Sequence, residues 1–337
     1  MKTCCDMNAL MSSYWGMYVV QSVLHSIIAS VLVDCAFSAW GMKTPSVKQR
    51  FRFLVIFLPA VLFPVYQLIS PGRGGVYFRL ESLIDSNKWF FLDIRGIPLA
   101  WVFIVLLALS ALIFIIQELV PIVFNMLEQV RGADAPVAEM IDEDLELKVS
   151  KALEGLPFDE EFVDILNDDD LTIFSSTGLN PRIYLSTGVI KSFSVEQLQA
   201  ALAHEIGHIQ RSRKPVLILA YVLRVCMFFN PIAMFEFRKL AHEEEEVCDD
   251  FAVALTGKPE ALSEAVDMLR PAPEDYDIDS ASGSMGTIAS SIEYHSHNAL
   301  MKGRMLRIAQ QRRDDSSWGV PYVVTLALIV GINYFVV

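Results

Sequence analysis

The chain has 337 residues and a formal net charge of −13. Hydrophobic residues make up 53% of it and charged residues 20%, with a mean hydropathy of +0.40. The acidic balance excludes nucleic acid as a partner, and apolar content this high, gathered into runs, excludes an ordinary soluble domain and points to the bilayer as solvent.

The first apolar run covers about residues 15–40. It reads as an anchor and not a cleaved leader: Lys2 is the only positive charge before it, Asp34 lies within it, and no small-residue cleavage site follows. Further runs cover about 53–69, 98–126 and 318–337, each near the roughly twenty residues that a span needs. Trp15, Trp40, Trp101 and Trp318 sit near run ends, as interfacial tryptophans do. Lys43, Lys48 and Arg50, with Arg52 at the start of the next span, place the first connecting loop in the cytoplasm. The N-terminus and the loop 70–97 are then outside, although that loop carries Arg73, Arg79, Lys88 and Arg95 against Glu81, Asp85 and Asp93. Residues after the third run return to the cytoplasm. An outside N-terminus argues against acylation of Cys4 and Cys5.

Residues 127–317 form the water-facing part. Residues 132–136 are a linker by composition. A helix is predicted over 143–153, and short strands over 171–174 and 182–185 around the turn 178–181. This hairpin either packs plainly on the next helix or offers its edge to an extended peptide. The acidic stretches 142–146, 159–170 and 274–279 read as solvated surface. Ser194 and Gln197 form a capping box, and Leu198, Leu202, Ile206 and Ile209 recur at helical spacing behind it. Within that helix stands His204-Glu205-Ile206-Gly207-His208. Histidines four apart share one helix face, so both imidazoles reach one zinc ion, and Glu205 is placed to take a proton from a zinc-bound water. An ordinary amphipathic helix can also carry such a pair, so a third ligand decides between the two readings.

Residues 215–237 are strongly apolar, yet a simple span there would put a third ligand on the wrong side of the membrane. The segment is therefore expected to re-enter or lie shallowly embedded, bending at Asn230-Pro231, with Arg224 facing protein or water. An acidic run follows, His242 to Asp250. Glu245 and Asp249 are four apart on one face: Glu245 can bind zinc while Asp249 takes the outward N–H of a ligand histidine. Glu246 with Asp250 is the alternative register. Residues 271–286 are a loop, read as a lid, a self-cleavage site or a linker. A helix is expected over 288–309. Cys35 and Cys226 lie in apolar runs, Cys248 in the acidic one, and no CxxC pair suggests a disulfide or zinc framework.

HEIGHIQRSRKP, then an apolar stretch with FFNP, then EEEEVCDDFAVAL resembles the BlaR/MecR-type integral-membrane metallopeptidases, and more distantly HtpX-type membrane proteases. The likeness covers roughly 170–256. It implies one zinc ion held by His204, His208 and Glu245, with Asp249 as supporting carboxylate, and it favours Glu245 over Glu246 because the aspartate directly follows the cysteine. The expected fold is a mainly α membrane protein: a multi-pass helical bundle with an inserted small α+β, gluzincin-like catalytic domain. The expected domains are 1–126 with three spans, 127–317 as the metallopeptidase domain, and 318–337 as a C-terminal span. Since the sequence ends with that span, the penicillin-binding sensor domain of BlaR/MecR proteins is not expected.

The activity expected is zinc-dependent endopeptidase cleavage at the cytoplasmic face of a bacterial inner membrane, with Glu205 as general base. The partners expected are the lipid bilayer and a protein or peptide substrate, a repressor or the chain itself. Candidates to stabilise the oxyanion are His242, His295, His297 and Arg304. A competing reading is a non-proteolytic zinc-binding membrane transducer. Against it stands Glu205, for which a structural zinc site has no use. Cleavage inside the bilayer is disfavoured, because the motif is flanked by Glu196, Gln197, Gln199, Gln210, Arg211 and Arg213.

Overall fold

The computed structural model describes residues 13–70, 93–94, 97–116, 120, 143–176, 180–212, 215–270, 298–309 and 317–337. In chain order the elements are α1 (Tyr14–Trp40), α2 (Pro45–Ile69), a two-residue bridge of β1 (Asp93–Ile94) with β2 (Ile97–Pro98), α3 (Leu99–Phe114) and α4 (Glu143–Leu153). There follow β3 (Val163–Leu166), β4 (Ile173–Ser176), β5 (Arg182–Ser186), α5 (Thr187–Ser192), α6 (Val195–Ser212), α7 (Pro215–Cys226), α8 (Pro231–Thr256) and α9 (Pro259–Met268). Residues 298–309 form α10, and Gly319–Val336 form α11. Residues 117–119 and 121–126 of the predicted third span, the 132–136 linker, the 271–286 loop and most of the 70–97 loop lie outside the described residues.

Two compact units divide the chain. One comprises Met1–Gly132, Pro215–Glu244 and Asp314–Val337; the other comprises Ala133–Lys214 and Glu245–Arg313. The division falls within α8, between Glu244 and Glu245.

Apart from the β1–β2 bridge, the described residues of the first unit are mainly helical. Helices α1, α2 and α11 are long and apolar enough to cross a membrane by length and composition. Gly41 ends α1 in the left-handed conformation (φ +61°), and Met42 N–H turns back to the Phe37 carbonyl at 3.1 Å, closing the helix so that α2 can return beside it. Ala29, Val33 and Ala36 of α1 pack with Phe51, Val55 and Leu58 of α2 and Ile329 of α11. Small residues let apolar backbones approach where lipid offers no competing hydrophobic drive. Pro64 inside α2 cannot donate to the Ala60 carbonyl, and the Tyr18 hydroxyl donates to it instead at 3.3 Å.

The apolar segment 215–237 is two helices with a break at residues 227–230. Asn230 Oδ1 accepts from Ile232 N (3.1 Å) and Ala233 N (3.3 Å), and Pro231 takes the first helical position. Asn-Pro is thus a cap and a start, which is why the bend falls there. Arg224 of α7 stacks over the Phe237 ring of α8 at 4.5 Å. Further along α8, Arg52 of α2 donates to Glu243 (2.6 Å) and Glu236 (2.7 Å). Glu236 also accepts from Lys239 (2.8 Å) and Ser30 (3.1 Å).

The second unit is a three-stranded sheet with helices. Its order is β3-β5-β4, with β5 parallel to β3 and antiparallel to β4. The predicted hairpin is therefore present, with its first strand shifted to Ile173–Ser176. Strand β3 was not expected. It lies in the acidic stretch 159–170, but Ile165 is in the core and Asp164 accepts from Arg182 Nη2 at 2.6 Å. Ile165, Ile183 and Leu185 from the sheet, Val149 and Leu153 from α4, and Leu198, Leu202 and Ile206 from α6 make one core. The capping box is formed: Gln197 N donates to Ser194 Oγ (3.2 Å) and Ser194 N to Gln197 Oε1 (2.8 Å).

Candidate metal centre

The core packing of α6 decides where its histidines point. Leu198, Leu202, Ile206 and Ile209 are buried in or beside the sheet side, which turns His204 and His208 together toward another face. On that face lies the second half of α8. Gly207, between the histidines, permits the approach: a Cβ there would lie 3.2 Å from Phe251 Cδ1 and 3.4 Å from Cys248 Cβ.

The inward nitrogens converge. His204 Nε2 and His208 Nε2 are 3.1 Å apart, and the Glu245 carboxylate lies 3.5 Å from the first and 3.4 Å from the second. The three ligand atoms lie within 4.8 Å of one another. A tetrahedral zinc with bonds of 2.0–2.1 Å would hold its ligands about 3.3 Å apart. Two imidazole nitrogens and a carboxylate that turns one oxygen to each of them fit such an ion. The charges fit as well. With both imidazoles neutral, as zinc requires, Glu205, Glu245 and Asp249 give −3 and Arg304 gives +1, and the remaining −2 is what a divalent cation neutralises.

The outward nitrogens are held by consecutive residues of α8. His204 Nδ1 lies 3.0 Å from Asp249 Oδ1, off the axis of the ring N–H, and His208 Nδ1 lies 3.4 Å from Cys248 Sγ. Asp249 is fully buried and accepts two bonds from Arg304, at 2.9 Å from Nε and 2.7 Å from Nη2. Arg304 Nη1 is 3.1 Å from Glu245. Burial alone would lower the His204 pKa, but the Asp249 and Glu245 carboxylates beside the ring outweigh it and hold the imidazole at about 9. Burial would raise Glu245 and Asp249; His204 and His208 keep Glu245 well below the carboxylate range, and Arg304 with His204 does the same for Asp249. The carboxylates that retain a proton on His204 are those that attract a cation, so proton and metal compete for one place.

Glu205 is buried and lines a half-open cavity of about 130 Å³ together with His204, Glu245 and Arg304. The remaining walls are apolar: Ile173 at the start of β4, Leu262, Ala265 and Val266 of α9, and Met301 of α10.

The structure thus brings together His204, Glu205, His208, Glu245 and Asp249. It turns the alternative pair away: Glu246 and Asp250 meet Arg307 of α10, which donates to the Glu246 carbonyl (3.0 Å) and to Asp250 (2.5 Å). Of the oxyanion candidates, Arg304 is committed to Asp249 and Glu245, His242 belongs to the first unit, and His295 and His297 lie outside the described residues. Sequence reasoning gave Cys248 no role at the site. Its spacing, three residues after Glu245, is the signal that places it on the histidine side of α8.

The sequence model of the family described as BlaR1 peptidase M56 matches residues 93–263. No curated protein matches the chain. The match spans just over half of the 337 residues and contains the converging histidines and Glu245, and the chain belongs to the BlaR1 peptidase M56 family, a mainly α membrane protein with a small α+β part that carries a possible metal site.

Proposed function

We propose that the protein is a membrane-embedded zinc endopeptidase that hydrolyses peptide bonds of a protein substrate at the cytoplasmic face of a bacterial inner membrane. The observation that carries this reading is the convergence of two imidazole nitrogens and one carboxylate beside a cavity that also holds Glu205. His204, His208 and Glu245 would hold the zinc. Bound there, zinc supplies a Lewis acid that acidifies water and polarises a carbonyl. Glu205 takes the proton of the attacking water and passes it to the leaving amine. Asp249 and Cys248 keep the two rings turned inward through their outward nitrogens. Strand β4 has no further partner strand among the described residues, and its Ile173 borders the cavity. An extended peptide can add to that edge and bring its backbone to Glu205.

The proposed layout is a membrane region over 1–126, the peptidase domain over 127–317 with the 215–237 hairpin re-entrant or shallowly embedded, and a last span over 318–337. The positive charges between the first two spans support a cytoplasmic site. A repressor and the chain itself are the proposed substrates. The non-proteolytic alternative is less well supported: the described residues offer three ligands, where a structural zinc site is normally closed by four.

Glu205→Gln tests the proposal. The variant should keep its zinc and lose cleavage by about 10²–10⁴-fold. Zinc content by elemental analysis and the cleavage products of a co-expressed membrane proteome are to be compared with wild type. Identical products from both proteins would sink the peptidase reading.

A further inference from the structure

We infer that Arg304 is a positioning residue of the zinc site, through which α10, a helix beyond the matched residues 93–263, fixes the ligand Glu245 and the ligand support Asp249. The inference rests on the zinc reading above. Its basis is the fork of the guanidinium. Nε and Nη2 take both oxygens of Asp249 at 2.9 and 2.7 Å, while Nη1 reaches Glu245 at 3.1 Å. A planar group bound at two carboxylates one helical turn apart fixes their separation and their rotation about α8, which a single ammonium cannot do. Asp249 in turn meets His204. One side chain from α10 therefore sets the position of Glu245 directly and the orientation of His204 at one remove.

Two effects of this cation oppose each other. A positive charge 3.1 Å from a ligand carboxylate works against a divalent ion. The Glu245 side chain is 38% exposed, however, so solvent screens that term. The Asp249 side chain is 0% exposed, and among the described residues Arg304 and His204 are the polar groups that hold it in its rotamer. Orientation is expected to dominate, and removal of Arg304 is expected to weaken zinc binding.

The next turn of α10 supplies a control. Arg307 meets Glu246 and Asp250 on the outer side of α8, so its loss perturbs the docking of α10 without touching the ligands. Full-length protein in detergent, stripped of metal, is titrated with zinc against a chromophoric chelator, and the absorption bands of the cobalt-loaded protein are recorded. Arg304→Gln should weaken zinc about 10–100-fold, Arg304→Lys less, and Arg307→Gln no more than about twofold. The cobalt bands should shift in both Arg304 variants and stay in place in Arg307→Gln. Equal zinc affinity in Arg304→Gln and wild type overturns the inference, as does equal weakening by Arg304→Gln and Arg307→Gln. Should Arg304→Gln fail to fold, Arg304→Lys decides: wild-type affinity and wild-type cobalt bands in it overturn the inference. A wild-type protein that takes up no zinc overturns the zinc reading itself, and the inference with it.

Discussion

Two buried arginines grip carboxylates of the same helix, one in each unit. Arg52 holds Glu236 and Glu243; Arg304 holds Asp249 and Glu245. Around Arg52 the cations nearly balance the acids: Lys239 also reaches Glu236, and Asp34 stands 3.8 Å from Arg52 and 3.9 Å from Lys239. Around Arg304 the same balance is reached only with a proton on His204, which a metal can replace. One guanidinium meets Glu245 and Asp249, Glu205 lines the same cavity, and the two imidazoles turn their inward nitrogens toward one another. Two similar nitrogens at 3.1 Å gain little from each other unless something positive, a proton or a metal, sits between them. The difference separates a structural lock from a site. The lock satisfies its charges with the protein's own groups. The site is left with ligand atoms that converge and a charge balance that rests on an exchangeable proton.

The largest expected effect that could break this distinction is on metal binding. Glu245→Gln removes the only charge among the three ligands, and zinc affinity should fall by more than about 100-fold, measured by chelator competition. Glu243→Gln, two residues earlier, should leave zinc affinity alone. A similar loss in both variants would erase the contrast between site and lock. Next comes Arg52→Ala, which takes the guanidinium from buried Glu243 and leaves buried Glu236 to Lys239 and Ser30; it should cost about 3–5 kcal/mol of stability, read by thermal unfolding in detergent. Zinc stoichiometry of the folded fraction should not change. Asp249→Asn keeps the volume and weakens the hold on His204. A fall of about 10–100-fold in zinc affinity is expected, and a wild-type value would deny Asp249 its supporting role.

A pH series sharpens the comparison further. The folded pKa of His204, about 9, lies above its ordinary 6.5. Its contribution to metal-free stability is therefore complete below about pH 6.5 and is lost as pH rises through about 9. Zinc requires the neutral ring, so the gain in melting temperature on adding zinc should grow across that window. A flat gain from pH 6.5 to 9 would contradict proton–metal competition at His204. The smallest effect expected is that of Cys248→Ser. The thiol is a weak partner to His208, and an affinity change within about tenfold is expected by the same titration.

Much of this was readable in the sequence, for local reasons. The capping box, the apolar spacing of α6, the histidine pair and the Glu245–Asp249 register each depend on contacts within one or two helical turns, and spacing alone encodes them. Asn230-Pro231 was legible for the same reason: a cap and a proline state where a helix starts. Strand β3 was not, because Val163-Asp164-Ile165-Leu166 offers one core residue, and its strand character comes from pairing with β5, whose partner residues each lie twenty positions later in the chain. Arg304 as a partner of Asp249 was also hidden. The two are 55 residues apart, and no periodicity links α10 to α8. Arg52 read only as a positive charge at the start of the second span for the same cause: its acids lie 184 and 191 residues away.

The four consecutive glutamates 243–246 look interchangeable on the page, but each has its own address. Glu243 meets Arg52, Glu244 accepts from Gln49 at 2.6 Å, Glu245 faces the histidines and Glu246 meets Arg307. Successive residues of a helix are turned by about 100°. Deleting any one glutamate would leave the composition of the run almost unchanged and rotate every later side chain onto its neighbour's bearing. The run therefore behaves as a four-letter word and not as a patch of charge: spelling matters, and so does the count.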